Sequence, residues 1–166
     1  GMHASQVVIQ LSTTRPNPPK TVTFDPDTDS ITCVGHGFAD GDSVAFRVGA
    51  SDRLPVWLES GVPYYVVNRT ADTFQVSETP GGGPVLLGDS GDGAPEVRWA
   101  LGVTVRGDGL GEEEQTVVVY PSDTAYTYRL PINLHGSTFA VSVRYSGSRP
   151  PTIYGLALVI DDVPAQ

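Results

Sequence analysis

Two residues in this sequence have the spacing of zinc ligands. Cys33 and His36 form a C-x-x-H pair, and both side-chain types bind Zn²⁺ in proteins. A zinc site needs about three or four ligands, and the other histidines, His3 and His135, lie far from this pair along the chain. We therefore interpret Cys33 as a small buried strand residue and His36 as a turn residue, and we expect neither a metal nor another cofactor.

Alternating aspartates are a second possible metal site. Asp25, Asp27 and Asp29 follow the spacing of the first ligands in a calcium-binding EF-hand loop. That loop requires glycine where this chain has Ser30, and a bidentate glutamate where it has His36. The EF-hand is excluded, and a weak ion site on the aspartate-rich turns stays open as an alternative.

The carboxylates and serines form no recognisable catalytic motif. Asp40 and Asp42 are close in sequence, but glycoside hydrolysis needs two carboxyl groups with different pKa values across a cleft. The nucleophile elbow G-x-S-x-G of many serine hydrolases is absent from the sequence. We expect turn residues at both aspartates, we assign no catalytic residue, and we predict that the protein is not an enzyme.

Four aromatic residues are candidates for a binding surface. Trp57 with Tyr64 and Tyr65, or Trp99 alone, could stack against the apolar face of a sugar ring. Aromatic side chains of a small β-module belong more often to its core or to a subunit interface. The sequence therefore predicts a ligand-binding or interface role for these four residues and leaves core packing as the alternative.

Strands must position all of these residues. The chain has 19 glycines and 14 prolines scattered between short runs rich in Val, Thr, Tyr, Phe and Ile, which is typical of many strands and turns. Residues 139–145 alternate between apolar and polar, as in a strand buried on one face. We predict an all-β fold with negligible helix, in which a small β-barrel or sandwich module is followed by a second antiparallel β-sandwich.

Glycine- and proline-rich segments divide the chain into three predicted parts. These are residues 1–19, a strand or arm with a proline-rich linker; residues 20–88, a small β-module; and residues 96–163, a C-terminal β-sandwich. The boundary between the two modules is the stretch rich in Gly and Asp before residue 96. The alternative is one continuous sandwich in which this stretch is a loop.

The small β-module contains a series of separated motifs. They are His36-Gly37-Phe38, Asp40-Gly41-Asp42-Ser43-Val44, Gly61-Val62-Pro63-Tyr64-Tyr65-Val66-Val67-Asn68, Thr73-Phe74-Gln75-Val76-Ser77 and Thr79-Pro80-Gly81-Gly82. This series resembles a small β-module that recurs in tail and other virion proteins of tailed bacteriophages. The resemblance implies a tail-associated structural protein of a phage or prophage particle, made in the bacterial host cytoplasm and located in the virion, with other virion proteins as partners.

Charge and hydropathy limit the classes of partner. The net charge of −9 disfavours nucleic acid and anionic membrane surfaces, because both attract clustered positive charge. The sequence also has no run of about eighteen apolar residues, so no membrane-spanning helix is expected. We expect protein partners, including further copies of the chain in a homo-oligomer, and a host-surface glycan is the alternative partner.

Two strands are predicted to carry self-association. The first precedes the proline-rich linker and is predicted to reach out as an assembly arm that joins a neighbour's sheet. The residues of this predicted arm are Val7, Val8, Ile9 and Leu11. The second, Thr152 to Ile160, is apolar and is followed only by Asp161 and Asp162, so we expect it in a core or an interface. The alternative function is a receptor- or carbohydrate-binding β-module.

Overall fold

Short alternating segments between Gly, Pro and Asp turns form the strands of a computed structural model, which describes residues 1–108 and 113–162. The strands are β1 (Met2–Ser12), β2 (Lys20–Thr21), β3 (Thr23–Asp25), β4 (Ser30–Thr32), β5 (Ser43–Arg47), β6 (Tyr64–Val67), β7 (Thr73–Ser77), β8 (Glu96–Trp99), β9 (Leu101–Gly107), β10 (Glu113–Val119), β11 (Tyr126–Gly136), β12 (Phe139–Arg144) and β13 (Thr152–Asp162). The described residues contain no helix, which confirms the predicted all-β class. None of them, accordingly, lies in a helix long and apolar enough to cross a membrane.

Seven strands form one antiparallel sheet in the order β2-β8-β5-β6-β7-β4-β3. Its centre is apolar because the runs of β5, β6 and β7 place large side chains in the core, where Phe46, Val66 and Phe74 are fully buried. Tyr64 and Val76 are also buried, and in β6 burial includes all four residues rather than alternate ones. This sheet therefore contains most of the strands from the first half of the chain.

Two three-stranded antiparallel sheets complete the fold. Their strand orders are β11-β1-β13 and β10-β9-β12. They meet along β10 and β11, where the side chains of Gln115 and Glu113 accept hydrogen bonds from the backbone N–H groups of Asn133 (2.9 Å) and His135 (3.2 Å). Apolar side chains of all three sheets belong to one hydrophobic core. The arrangement is sandwich-like. The contact between β10 and β11 closes one side of the space between the two three-stranded sheets.

Strand pairing crosses the predicted division of the chain in two places. β8 follows the predicted boundary, yet it pairs with β5 and β2 in the sheet of the small module. β1 lies in the predicted N-terminal part, yet it pairs with β11 and β13 of the C-terminal half. Each of these two sheets therefore combines segments that are far apart in the sequence.

The first strand is not a projecting arm, and this corrects the sequence prediction. The correction concerns Val7, Val8, Ile9 and Leu11. β1 is the centre strand of its sheet, so three of these side chains are fully buried and Val8 is partly exposed on the outer face. The proline-rich linker is also held to the chain, because the Asn17 side chain donates to the carbonyls of Trp99 (2.8 Å) and Pro121 (3.1 Å).

Candidate functional site

The four predicted binding aromatics do not form one surface. Tyr64, Tyr65 and Trp99 are buried, because their strands β6 and β8 contribute to the core. The Tyr64 hydroxyl accepts a hydrogen bond from the backbone N–H of Glu59 (2.9 Å). Trp57 alone of the four is exposed, at 64%. The predicted platform of Trp57 with the two tyrosines, or of Trp99 alone, is therefore not formed.

The alternating aspartates serve as hydrogen-bond acceptors within turns. Asp25 accepts from the backbone N–H of Asp27 (3.0 Å) and from the hydroxyl of Thr28 (2.9 Å). Asp29 accepts instead from the distant backbone N–H of Leu87 (2.8 Å). Within residues 1–108 and 113–162, no three His, Cys, Asp or Glu side chains are grouped so that they could hold a metal ion. Asp25 therefore has the hydrogen bonds of a turn residue, whereas Asp29 connects its turn to Leu87.

His36 is a structural residue of the motif His36-Gly37-Phe38. Its Nδ1 accepts a hydrogen bond from the backbone N–H of Phe38 (2.9 Å), so the proton is on Nε2, which donates to the carbonyl of Thr70 (2.9 Å). The ring is buried between Phe38 and Phe74, with ring centroids 5.4 and 5.2 Å away. Because both nitrogens are occupied, His36 is not poised to bind a metal with Cys33.

We expect Cys33 to react slowly with thiol reagents in the native protein. Its side chain is buried, and burial raises the pKa of the thiol against a smaller lowering by Lys20, so little thiolate forms at neutral pH. Labelling by a chromogenic disulfide should be roughly 100-fold slower than in denaturant. In a Val34→Cys variant the added thiol, at a position 80% exposed, should react at once while Cys33 stays slow. Fast native labelling of the original chain would contradict this account.

β13 is the candidate functional site because it is an edge strand with an open side. Among the described residues it pairs only with β1, in a register that aligns Leu156 with Ile9 and Leu158 with Val7. Since aligned residues on neighbouring strands point to the same face, both leucines lie on the core-facing side of the sheet. Ile9 and Val7 are fully buried, whereas Leu156 remains 44% exposed. The core-facing side of β13 is therefore incompletely covered.

Exposure extends along the whole of β13. Its large apolar side chains with 38–58% exposure are Ile153, Tyr154, Leu156, Val159 and Ile160. They lie on both faces of the strand, because Val159 aligns with the outward-facing Gln6 of β1. The strand does not lie in the core of its own chain, which was one of its two predicted locations. An interface, the other predicted location, remains as a proposal.

The opposing sheet is also open on this side. The edge strand β12 carries Phe139, Val141 and Val143 on its core-facing side, and each is only partly buried. Val141 aligns with Val105 and Val143 with Val103 on β9, both of which are fully buried. The two sheets meet along β10 and β11, so β12 and β13 form the opposite, open side of the sandwich. On this side, apolar side chains that point toward the core remain exposed to solvent.

Few features of the sequence protect this edge from pairing. Residues 152–162 contain no Lys, Arg or Pro, the residues that most often block sheet extension. A bulge at Tyr154, whose hydroxyl hydrogen-bonds with that of Ser12 (3.3 Å), locally distorts one end of the strand. The two charges, Asp161 and Asp162, lie at the other end. The stretch between the bulge and these charges can add another strand.

Comparison of the chain with protein-family models, with curated proteins and with solved structures found no match.

Proposed function

We propose that the protein is a non-catalytic structural component of a phage or prophage particle, associated with the tail, which acts through protein–protein contacts. The motif series between residues 30 and 88 supports the phage part of the proposal. The open edge strand β13 carries the proposed contact role. Its apolar side chains are exposed to water, and the backbone N–H and C=O groups on the side away from β1 have no strand partner. A docked strand would cover the side chains and form hydrogen bonds with these backbone groups.

The size of the exposed surface suits a weak to moderate association. The large apolar side chains of β13 expose an area on the order of 500 Å², close to the largest apolar patches of ordinary monomers. Two copies joined through this surface would bury at most about 1,000 Å², near the lower limit for a specific interface. The open core-facing side of β12 lies alongside and would add to that area.

The proposed occupant of the edge is a second copy of this chain in antiparallel orientation. In a parallel pair, Asp161 and Asp162 would lie beside the same residues of the other copy, and like charges side by side are unfavourable. In an antiparallel pair centred on Ala157 the acidic ends lie roughly 25 Å apart, beyond the screening length of about 10 Å. The same register places Leu156 opposite Leu158 of the second copy and gives a two-fold dimer.

Sedimentation velocity tests the proposed contact role on the full chain. Over a range from about 1 to about 100 µM we expect the weight-average sedimentation coefficient to rise from monomer toward dimer. A strict monomer across this range, with no binding to a neighbouring virion protein, would remove the support for an assembly role. The phage assignment has its own test, since the genes that flank this one are expected to encode virion proteins.

One observation favours the alternative of carbohydrate binding. Trp57 borders a groove of about 500 Å³ together with Glu78, Thr79 and the exposed Leu86. An exposed indole next to polar side chains is a surface on which a sugar ring can stack. The chain has two tryptophans, and Trp99 is fully buried. A glycan that shifts the emission of the solvent-exposed tryptophan would therefore report on Trp57. Such a shift together with a strict monomer would favour the alternative.

A further inference from the structure

A second site lies on the outer face of the strand pair β5 and β8. The register aligns Ala45 with Arg98 and Arg47 with Glu96, so both arginines point to the side opposite the core residues Phe46 and Val97. Together with Pro19 and Tyr120, these outer residues line a cavity of about 310 Å³. This volume is at the lower end of the range for small-molecule sites.

The positive charge of this cavity is not balanced by an ion pair. The guanidinium carbons of Arg47 and Arg98 lie 5.9 and 5.6 Å from the centre of the Tyr120 ring. The ion pairs of the described residues involve Arg53 and Arg106 instead, and Glu96 contacts neither cavity arginine closely enough to form one. Two like charges beside one ring repel each other, and an anion between them would offset this repulsion.

Two polar atoms of the cavity also lack hydrogen-bond partners. The Nε of Arg98 and the hydroxyl of Tyr120 are buried, and neither makes a hydrogen bond within the described part of the chain. Burial raises the pKa of Tyr120, and the two arginines only partly oppose this effect, so the hydroxyl is protonated and can donate. Buried donors without acceptors are rare in folded proteins. Both atoms are closed to solvent in this structure, so an oxyanion in the cavity would accept from them only after the side chains of Arg98 and Tyr120 shift.

We propose that this cavity binds the carboxylate of a small sugar acid. Arg47 and Arg98 supply the cationic donors, and planar guanidinium groups match a carboxylate in geometry. The carboxylate of Glu96 also lines the cavity, which leaves about one net positive charge there and suits a singly charged ligand better than a phosphate dianion. This site is separate from β13 and does not depend on the proposed assembly role.

The rest of the ligand would occupy an adjoining groove. Arg98 and Tyr120 line both the cavity and a groove of about 480 Å³ that contains Tyr126 and Tyr128. The ring of Tyr126 is 61% exposed and is held edge-to-face against Tyr128, with centroids 5.0 Å apart. Short polar side chains, Ser122 and Asp123, lie in the same groove. Flat rings beside polar groups fit a hydroxylated ring better than a purely apolar one.

Titration of the full chain with glucuronate, followed by backbone amide NMR, tests this proposal. We expect saturable shifts at β5, β8 and residues 120–128, and none with glucose, which lacks the carboxylate. Arg47→Met and Arg98→Met keep the apolar stem but remove the cation, and each should weaken glucuronate binding at least about tenfold. Arg129→Met, which removes an exposed arginine of β11 outside the site, should leave binding unchanged.

Several outcomes would overturn the proposal. They are equal shifts with glucose and glucuronate, no saturable shift with glucuronate, tighter binding of inorganic phosphate than of glucuronate, or unchanged binding by a folded Arg47→Met variant. Arg47 is exposed, so this variant is expected to fold even if Arg98→Met does not. The NMR titration measures ligand binding and does not depend on whether the protein is a monomer or a dimer. A negative titration would therefore leave the sedimentation test of assembly unaffected.

Discussion

Leu156→Lys is expected to abolish the proposed self-association. Leu156 lies near the middle of β13 and is 44% exposed on the core-facing side. In the proposed antiparallel dimer it faces Leu158 of the second copy. The substitution places a charge in this contact twice, because the dimer is symmetric. We expect the dimer dissociation constant to rise at least 100-fold, about 3 kcal/mol, as measured by sedimentation.

The matched control for this variant is Val34→Lys. Val34 is 80% exposed and lies outside β13, so the same change of apolar residue to lysine should leave the dimer intact. Both variants alter the net charge by the same amount, which separates a local effect at the edge from a general change in repulsion. Equal dimerisation of the Leu156→Lys and Val34→Lys variants would show that β13 is not the contact.

Asp42→Ala is expected to destabilise the fold more than any other removal of an acidic side chain discussed here. The Asp42 carboxylate is fully buried and accepts hydrogen bonds from the backbone N–H groups of Ala39 (2.9 Å) and Ser148 (2.5 Å) and from the Ser148 hydroxyl (3.0 Å). It also packs against Gly147, where φ is 117° and an added Cβ would clash with the Asp42 carboxylate. This side chain therefore joins the turn before β5 to the C-terminal half.

Loss of that carboxylate removes three part-buried, charge-assisted hydrogen bonds, at a cost of about 3 kcal/mol of unfolding free energy. For a chain of this length we expect the melting temperature to fall by roughly 10 °C, measured by calorimetry. Asp40→Ala is the control, because Asp40 is exposed and accepts one hydrogen bond, from the backbone N–H of Arg69 (3.0 Å). Equal melting temperatures for the two variants would contradict the structural role of Asp42.

Local patterns in the sequence predict the strands well because they depend on neighbouring residues. The motif around residues 64–68 and 73–77 predicts two paired strands, and β6 and β7 occupy these positions. Some aspartates of the turns likewise bond nearby amides, as at Asp25 and Asp42. Turn chemistry and side-chain alternation are thus sufficient to predict the fold class and much of the small module.

Long-range pairing cannot be predicted from these patterns. The apolar pattern of β1 predicts a strand but does not say which sheet the strand joins. The proline-rich linker that follows it suggested a projecting arm. In the structure, β1 instead lies between β11 and β13. The apolar content of β13 suggested a core or an interface, and its exposure follows from its place at the sheet edge. Arg47 and Arg98 are far apart in sequence and meet only through the register of β5 and β8. The scarcity of basic residues in an acidic chain was the one available signal for that site.

Amide hydrogen exchange of residues 152–162, measured as a function of protein concentration, tests the central claim most directly. In the monomer only the amides that face β1 are hydrogen-bonded, so alternate amides of β13 exchange rapidly. We predict that the rapid set slows roughly tenfold or more between about 1 and about 100 µM, while the amides of the centre strand β1 stay protected throughout. Rapid exchange of the outward-facing β13 amides at every concentration would contradict assembly through this edge.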